Sequence, residues 1–136
     1  MKSVFLDSDV VISSLISKKG AAFLLVNNKE IIKYISNISL KEIKIVVKRL
    51  KLKNFESILV NCEIIKIKGD LDEIKNKYNK FVTDKNDAHI ICGAKVSTAN
   101  FLITYNLKHF NKDLVKQSLK IITLTPALFL QYLRSL

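Results

Sequence analysis

Apolar residues in this chain come in short runs separated by charged or polar stretches. Five runs read as strands: 3–6, 31–35, 63–67, 101–104 and 120–123. The first and fourth are almost wholly apolar, and 31–35 is β-branched and alternating. Between them the apolar spacing changes to that of helices, over 9–16, 21–28, 39–54, 70–82, 87–97 and 112–119, with a further turn or two at 55–61. In 39–54, Ile43, Val46, Val47 and Leu50 line one face, and Lys44, Lys48 and Lys51 another. Pro126 opens a last helix, 127–133, in the first-turn position that tolerates it. Strands that alternate with helices predict an α/β fold with a parallel sheet covered on both faces. In such sheets ligands bind beyond the carboxyl ends of the strands. That edge would carry Asp7, just after the first strand, and the Thr104–Tyr105–Asn106 segment.

Composition narrows the class. At 136 residues and 49% apolar content the chain can bury one real core, and residues 1–136 read as a single domain without linker or repeat. No apolar run approaches the ~20 residues that span a bilayer. Asp7 and Asp9 interrupt the opening apolar stretch too early for a signal peptide. Cys62 and Cys92 match no metal spacing and read as free, buried thiols, so a cytoplasmic setting is expected. The formal charge of +11 favours a polyanionic partner, nucleic acid first. A lysine-rich surface also follows from biased base composition or adaptation to heat, so charge alone assigns nothing.

Four positions abut buried elements. Asp7 ends the first strand, Glu42 lies in the expected first turn of 39–54, Asp87 opens 87–97, and Asn106 follows the fourth strand. Each has an ordinary structural explanation. Ser39-Leu-Lys-Glu42 reads as a capping box. Asp87 suits a helix N-terminus, and Asp7 and Asn106 are turn formers. Three carboxylates meeting at one edge would be another matter, because a pair ~4 Å apart repels by roughly 4 kcal/mol at an effective dielectric near 20. A hard divalent cation removes that repulsion.

"VFLDSDVVISSL", "ISNISLKEI" and "TDKNDAHIICGAKVSTANFLITYNLKHF" together resemble the PIN-domain ribonucleases, above all the VapC-type toxins of toxin–antitoxin pairs. The ordered motifs run across nearly the whole chain. The resemblance implies a three-layer α/β/α sandwich with a central parallel sheet of four to five strands. It implies Asp7, Glu42 and Asp87 as ligands of Mg²⁺ or Mn²⁺, and Asn106 where many members carry a fourth acid. It also makes Thr104 a hydroxyl that could hold a water or a phosphate. The chain departs from the pattern at Asp9, where Asn or a small polar residue is commoner, and at Asn106. Asp9 is read here as a turn or helix N-terminal acid, and Asp84 as a cap.

The implied activity is hydrolysis of single-stranded or loop RNA by a metal-activated water. Lys41, Lys44, Lys108 and Lys112 would position phosphates, and Tyr105 is the exposed aromatic candidate for stacking on a base. His89 should point away from Asp87 at helical spacing and pack in the core or at the surface; His109 is read as a packing or solvent residue. A small antitoxin and a second copy of the chain are the implied partners. Two other readings stay open: a haloacid-dehalogenase-like phosphatase using Asp7 as nucleophile and Asp9 as acid, and a non-catalytic RNA-binding or regulatory domain of the same fold.

Overall fold

The computed structural model describes residues 1–136. Its strands are Ser3–Leu6 (β1), Ile32–Ser36 (β2), Glu63–Ile65 (β3), Phe101–Ile103 (β4) and Ile122–Leu124 (β5). They form one sheet in the order β3-β2-β1-β4-β5, and every pairing is parallel. All five expected strands are present; β1 has its expected bounds, and the other four are shifted or shortened by one or two residues at their ends. The helices are Ser8–Ile16 (α1), Ala21–Val26 (α2), Asn37–Leu50 (α3), Glu56–Asn61 (α4), Leu71–Tyr78 (α5), Ala88–Val96 (α6), Lys112–Leu119 (α7) and Pro126–Arg134 (α8). None is long and apolar enough to cross a membrane.

Side chains alternate across a strand, and here the alternation separates two cores. Val4 and Leu6 of β1 join Val10, Leu25, Ile43, Ile58 and Phe129, from α1, α2, α3, α4 and α8. Phe5, between them, points to the opposite face with Leu102, Ile74, Ile91 and Val115, the last three from α5, α6 and α7. The sheet is therefore apolar on both sides and sits between two helical layers, the α/β/α sandwich that the alternating pattern implies. Cys62 belongs to the first core and Cys92 to the second, and both are buried free thiols.

Two features place the site. The strand order reverses direction between β1 and β4, where successive connections leave to opposite sides, so a crevice opens at their carboxyl ends. Leu6 and Ile103 are register partners there, and Asp7 N–H continues the pairing to the Ile103 carbonyl at 2.9 Å. On the second face α6 lies directly over β1. A Cβ added at Gly93 would stand 2.3 Å from the Phe5 ring, so only glycine allows this approach. That contact fixes the helix whose first residues follow Asp87.

Candidate active site

The acidic edge begins with Asp7, the N-cap of α1. Its Oδ1 accepts from Ser8 N–H at 2.7 Å, and its Oδ2 from the Thr104 hydroxyl at 2.9 Å. Thr104 is fully buried, and its Oγ1 also accepts from Asn106 N–H at 3.0 Å. The hydroxyl is thus engaged within the protein. Contrary to the expectation from sequence, Thr104 is not open to a water or a phosphate; it orients Asp7 and the turn that follows β4. Burial, then the Asp9 charge, push the Asp7 carboxyl up to about 7, with Asp87 adding to them and the Thr104 and Ser8 bonds opposing.

Glu42 reaches the same edge because α3 starts earlier than expected. Ser36, not Ser39, is the N-cap, and its Oγ accepts from Ser39 N–H at 3.0 Å. Asn37 is fixed beside it by accepting Ile67 N–H at 2.8 Å. The capping box therefore does not form. Glu42 stands beyond the first turn, and its carboxylate turns sideways. Oε1 accepts from the Ser8 hydroxyl at 3.2 Å, and Oε2 lies 3.3 Å from His89 Nε2. Burial acts to raise this carboxyl, but the His89 bond and charge and the Ser8 bond together carry it below the usual range.

Asp87 closes a 3-10 turn, Lys85–Asp87, rather than opening the helix itself. Asp84 caps that turn, accepting from Asn86 N–H at 2.9 Å, as its spacing suggested. Asp87 makes no capping bond of its own. Its Oδ2 lies 3.6 Å from His109 Nδ1, and burial raises its carboxyl while His109 works the other way. Asp87 and Ala88 both keep right-handed helical backbone, and His89 meets Glu42 rather than Asp87. His89 is buried, as a core histidine would be, yet it borders the same cleft as Asp87. Sequence spacing places neither histidine in the site; His89 enters it through Glu42 and His109 through Asp87.

Asp9 lies in the first turn of α1, the position expected for it, but its side chain also crosses to the turn after β4. Its Oδ2 accepts from Tyr105 N–H at 3.1 Å and from the Asn106 amide at 3.0 Å, while Oδ1 is buried without a hydrogen-bond partner. Burial raises its carboxyl too.

These side chains border one cleft of about 320 Å³, lined by Asp7, Asp9, Glu42, Asp87 and Asn106 with His89 and His109. Lys41, Lys44, Lys108 and Lys112 are exposed and stand outside the lining. The acid–base side-chain contacts of the molecule join histidines to Glu42 and Asp87. None of the 23 Lys and Arg side chains is paired with any of the 12 acids. The acids of the cleft therefore face histidines but no lysine or arginine, although the chain has many.

The donor set suits a hard divalent cation: carboxylate and amide oxygens, an unpartnered Asp9 Oδ1, and an Asp7 carboxyl raised in part by neighbouring charge. No three His, Cys, Asp or Glu side chains stand together as a ready-made ligand set, so binding an ion requires the carboxylates to draw in.

Comparison with known proteins bears on the family and the fold. A PIN-domain family model matches residues 3–108. No curated protein matches the chain. Solved structures do. A toxin–antitoxin complex from Klebsiella pneumoniae is similar at TM-score 0.62 and 20% identity, over 90% of this chain and 97% of that one. VapBC2 from Rickettsia felis, bound to a DNA fragment from its promoter, is similar at 0.58 and 20%, over 89% and 96%. Mycobacterium tuberculosis VapC20, a sarcin–ricin-loop-cleaving toxin, is similar at 0.50 and 14%, over 85% and 95%. At these identities the likeness speaks for the fold.

Proposed function

The chain belongs to the PIN-domain family, and from that premise we propose that it is a metal-dependent endoribonuclease acting on single-stranded or loop RNA, the toxin of a toxin–antitoxin pair. The observation that carries this reading is convergence. Asp7, Glu42, Asp87 and Asn106 come from four separate segments and border one cleft at the carboxyl ends of β1 and β4. Uncompensated acids inside a strongly basic molecule suit a cation bound in the cleft and a polyanion laid across it.

Asp7, Glu42 and Asp87 would hold Mg²⁺ or Mn²⁺, which when bound lowers the pKa of a water and offsets charge on a phosphodiester. The protein's own part is orientation. Thr104 and Ser8 N–H hold both oxygens of Asp7, while Ser8 Oγ and His89 hold those of Glu42. Asn106, tied to Asp9 and Thr104, offers its amide oxygen at the rim. Water adds to phosphorus and the ribose oxygen leaves. Lys41 and Lys44 on α3, and Lys108 and Lys112 beside the Asn106 turn, are exposed and free of acids, as phosphate contacts require. The phosphatase alternative finds no support in the family match, which is to a PIN domain over residues 3–108.

The toxin role is supported by the neighbours, two of which were solved as toxin–antitoxin assemblies. A small antitoxin and a second copy are the partners this reading takes on, with residues 1–136 acting as one cytoplasmic nuclease domain. Exposed apolar side chains such as Val60, Ile45 and Leu59 are available for such contacts.

The test is incubation of the purified protein with a pool of structured and unstructured RNAs, with Mg²⁺, Mn²⁺ or chelator, beside an Asp87→Ala variant. Cleavage that needs the ion and the carboxylate is expected. Cleavage that survives either loss overturns the proposal.

A further inference from the structure

Glu42 is the exposed acid of the cleft. Its side chain is half open to solvent, and it projects from a helix face on a chain of rotatable bonds. Left to itself, such a side chain samples several rotamers, and fixing one costs conformational entropy. Yet each of its carboxylate oxygens meets a donor from a different element: Ser8 Oγ of α1 at Oε1, and His89 Nε2 of α6 at Oε2. His89 is far less free. Its side chain is 8% exposed, and it sits in the first turn of α6, which is pinned on β1 through the Gly93–Phe5 contact.

The ring's other nitrogen decides which way the proton faces. Nδ1 is buried without a hydrogen-bond partner. A proton there would be a buried N–H with no acceptor, and it would leave the Nε2 lone pair facing the Glu42 lone pairs. With the proton on Nε2, the bond to Glu42 forms and only an acceptor goes unused. A buried donor without an acceptor costs more than an unused acceptor, which favours the second tautomer.

We propose that His89 is a positioning residue of this site: its Nε2–H holds the Glu42 carboxylate toward the cleft and pre-aligns it as an oxygen donor for a divalent cation. This deepens, and rests on, the nuclease reading. It gives the short segment Asp87–His89 two tasks, one acid presented directly and a second held from behind. Outer partners of this kind typically account for about 10–100-fold in metal affinity.

The experiment compares the parent with His89→Gln, which keeps a donor at similar reach, and His89→Leu, which fills the space without one. Mn²⁺ affinity is read by calorimetry, and the imidazole tautomer of the metal-free parent by ¹⁵N NMR. The expected results are a loss of at least about tenfold in affinity for His89→Leu, a change of under about threefold for His89→Gln, and an Nε2–H tautomer. In a Glu42→Gln background, His89→Leu should weaken binding no further. Equal losses in the Gln and Leu variants indicate packing alone and overturn the proposal, as do full affinity in His89→Leu or an Nδ1–H tautomer. A parent that binds no Mn²⁺ refutes the nuclease reading instead, and the tautomer still reports whether His89 holds Glu42.

Discussion

Replacing Asp7 by Asn should stabilise the metal-free protein above neutral pH while removing an acid of the proposed site. In the folded chain, burial first and the Asp9 charge second lift the Asp7 carboxyl from 3.8 to about 7. The folded state therefore binds this proton more tightly than the unfolded chain does. The resulting stabilisation is fully present below about pH 3.8 and is lost as pH rises through about 7. A displacement of that size sets roughly 4 kcal/mol against the ionised form. Asn removes the charge but has one oxygen for two donors, Ser8 N–H and the Thr104 hydroxyl. Losing one of those bonds costs about 1–2 kcal/mol. The net gain is then roughly 2–3 kcal/mol, or about 6–10 °C in Tm for a chain of this size. Thermal unfolding with chelator, from about pH 5 to about pH 9, measures it. The advantage of Asp7→Asn should grow across that range, and Mn²⁺ should raise the parent's Tm far more than the variant's. An advantage independent of pH, or a variant less stable than the parent at the alkaline end, refutes the reasoning.

Gly93→Ala should destabilise the fold by about 1–3 kcal/mol, because the new Cβ meets the fully buried Phe5 ring. Adding Phe5→Leu should recover part of that loss in urea unfolding, and simple additivity would contradict the contact. Thr104→Val keeps the shape but leaves Asp7 Oδ2 and Asn106 N–H without their shared partner. It should cost about 1–3 kcal/mol and slow RNA cleavage, whereas unchanged stability would show that the hydroxyl holds nothing. Substituting Lys44 and Lys108 by Ala in Asp87→Ala protein should lower the salt slope of single-stranded RNA binding by about 0.7 for each lysine that meets a phosphate. An unchanged slope removes both lysines from the binding track.

The layered fold was readable because each strand is short, apolar and separated from the next by a helical pattern. β1 shows the code most clearly, with Val4 and Leu6 feeding one core and Phe5 the other. The start of α3 was less legible. Ser36 and Ser39 both precede apolar helical residues, and only the tertiary bond from Ile67 N–H to Asn37, with Ser36 accepting Ser39 N–H, decides between them. The same choice releases Glu42 from a capping role. His89 is not legible as a site residue, because the group it meets is Glu42 on a different helix. The resemblance makes Thr104 a hydroxyl for a water or a phosphate, and nothing local announces that Asp7 lies close enough to accept from it across 97 positions. Local pattern thus reported the elements, while bonds between distant segments decided what each site residue touches.

The central claim is that Asp7, Glu42 and Asp87 close around a divalent cation. Crystals soaked in Mn²⁺ and measured near the manganese absorption edge test it most directly. An anomalous peak is expected within the cleft, bounded by those three carboxylates and absent in Asp7→Asn crystals. A soaked crystal with no peak in the cleft, or the same peak without the Asp7 carboxylate, would contradict it.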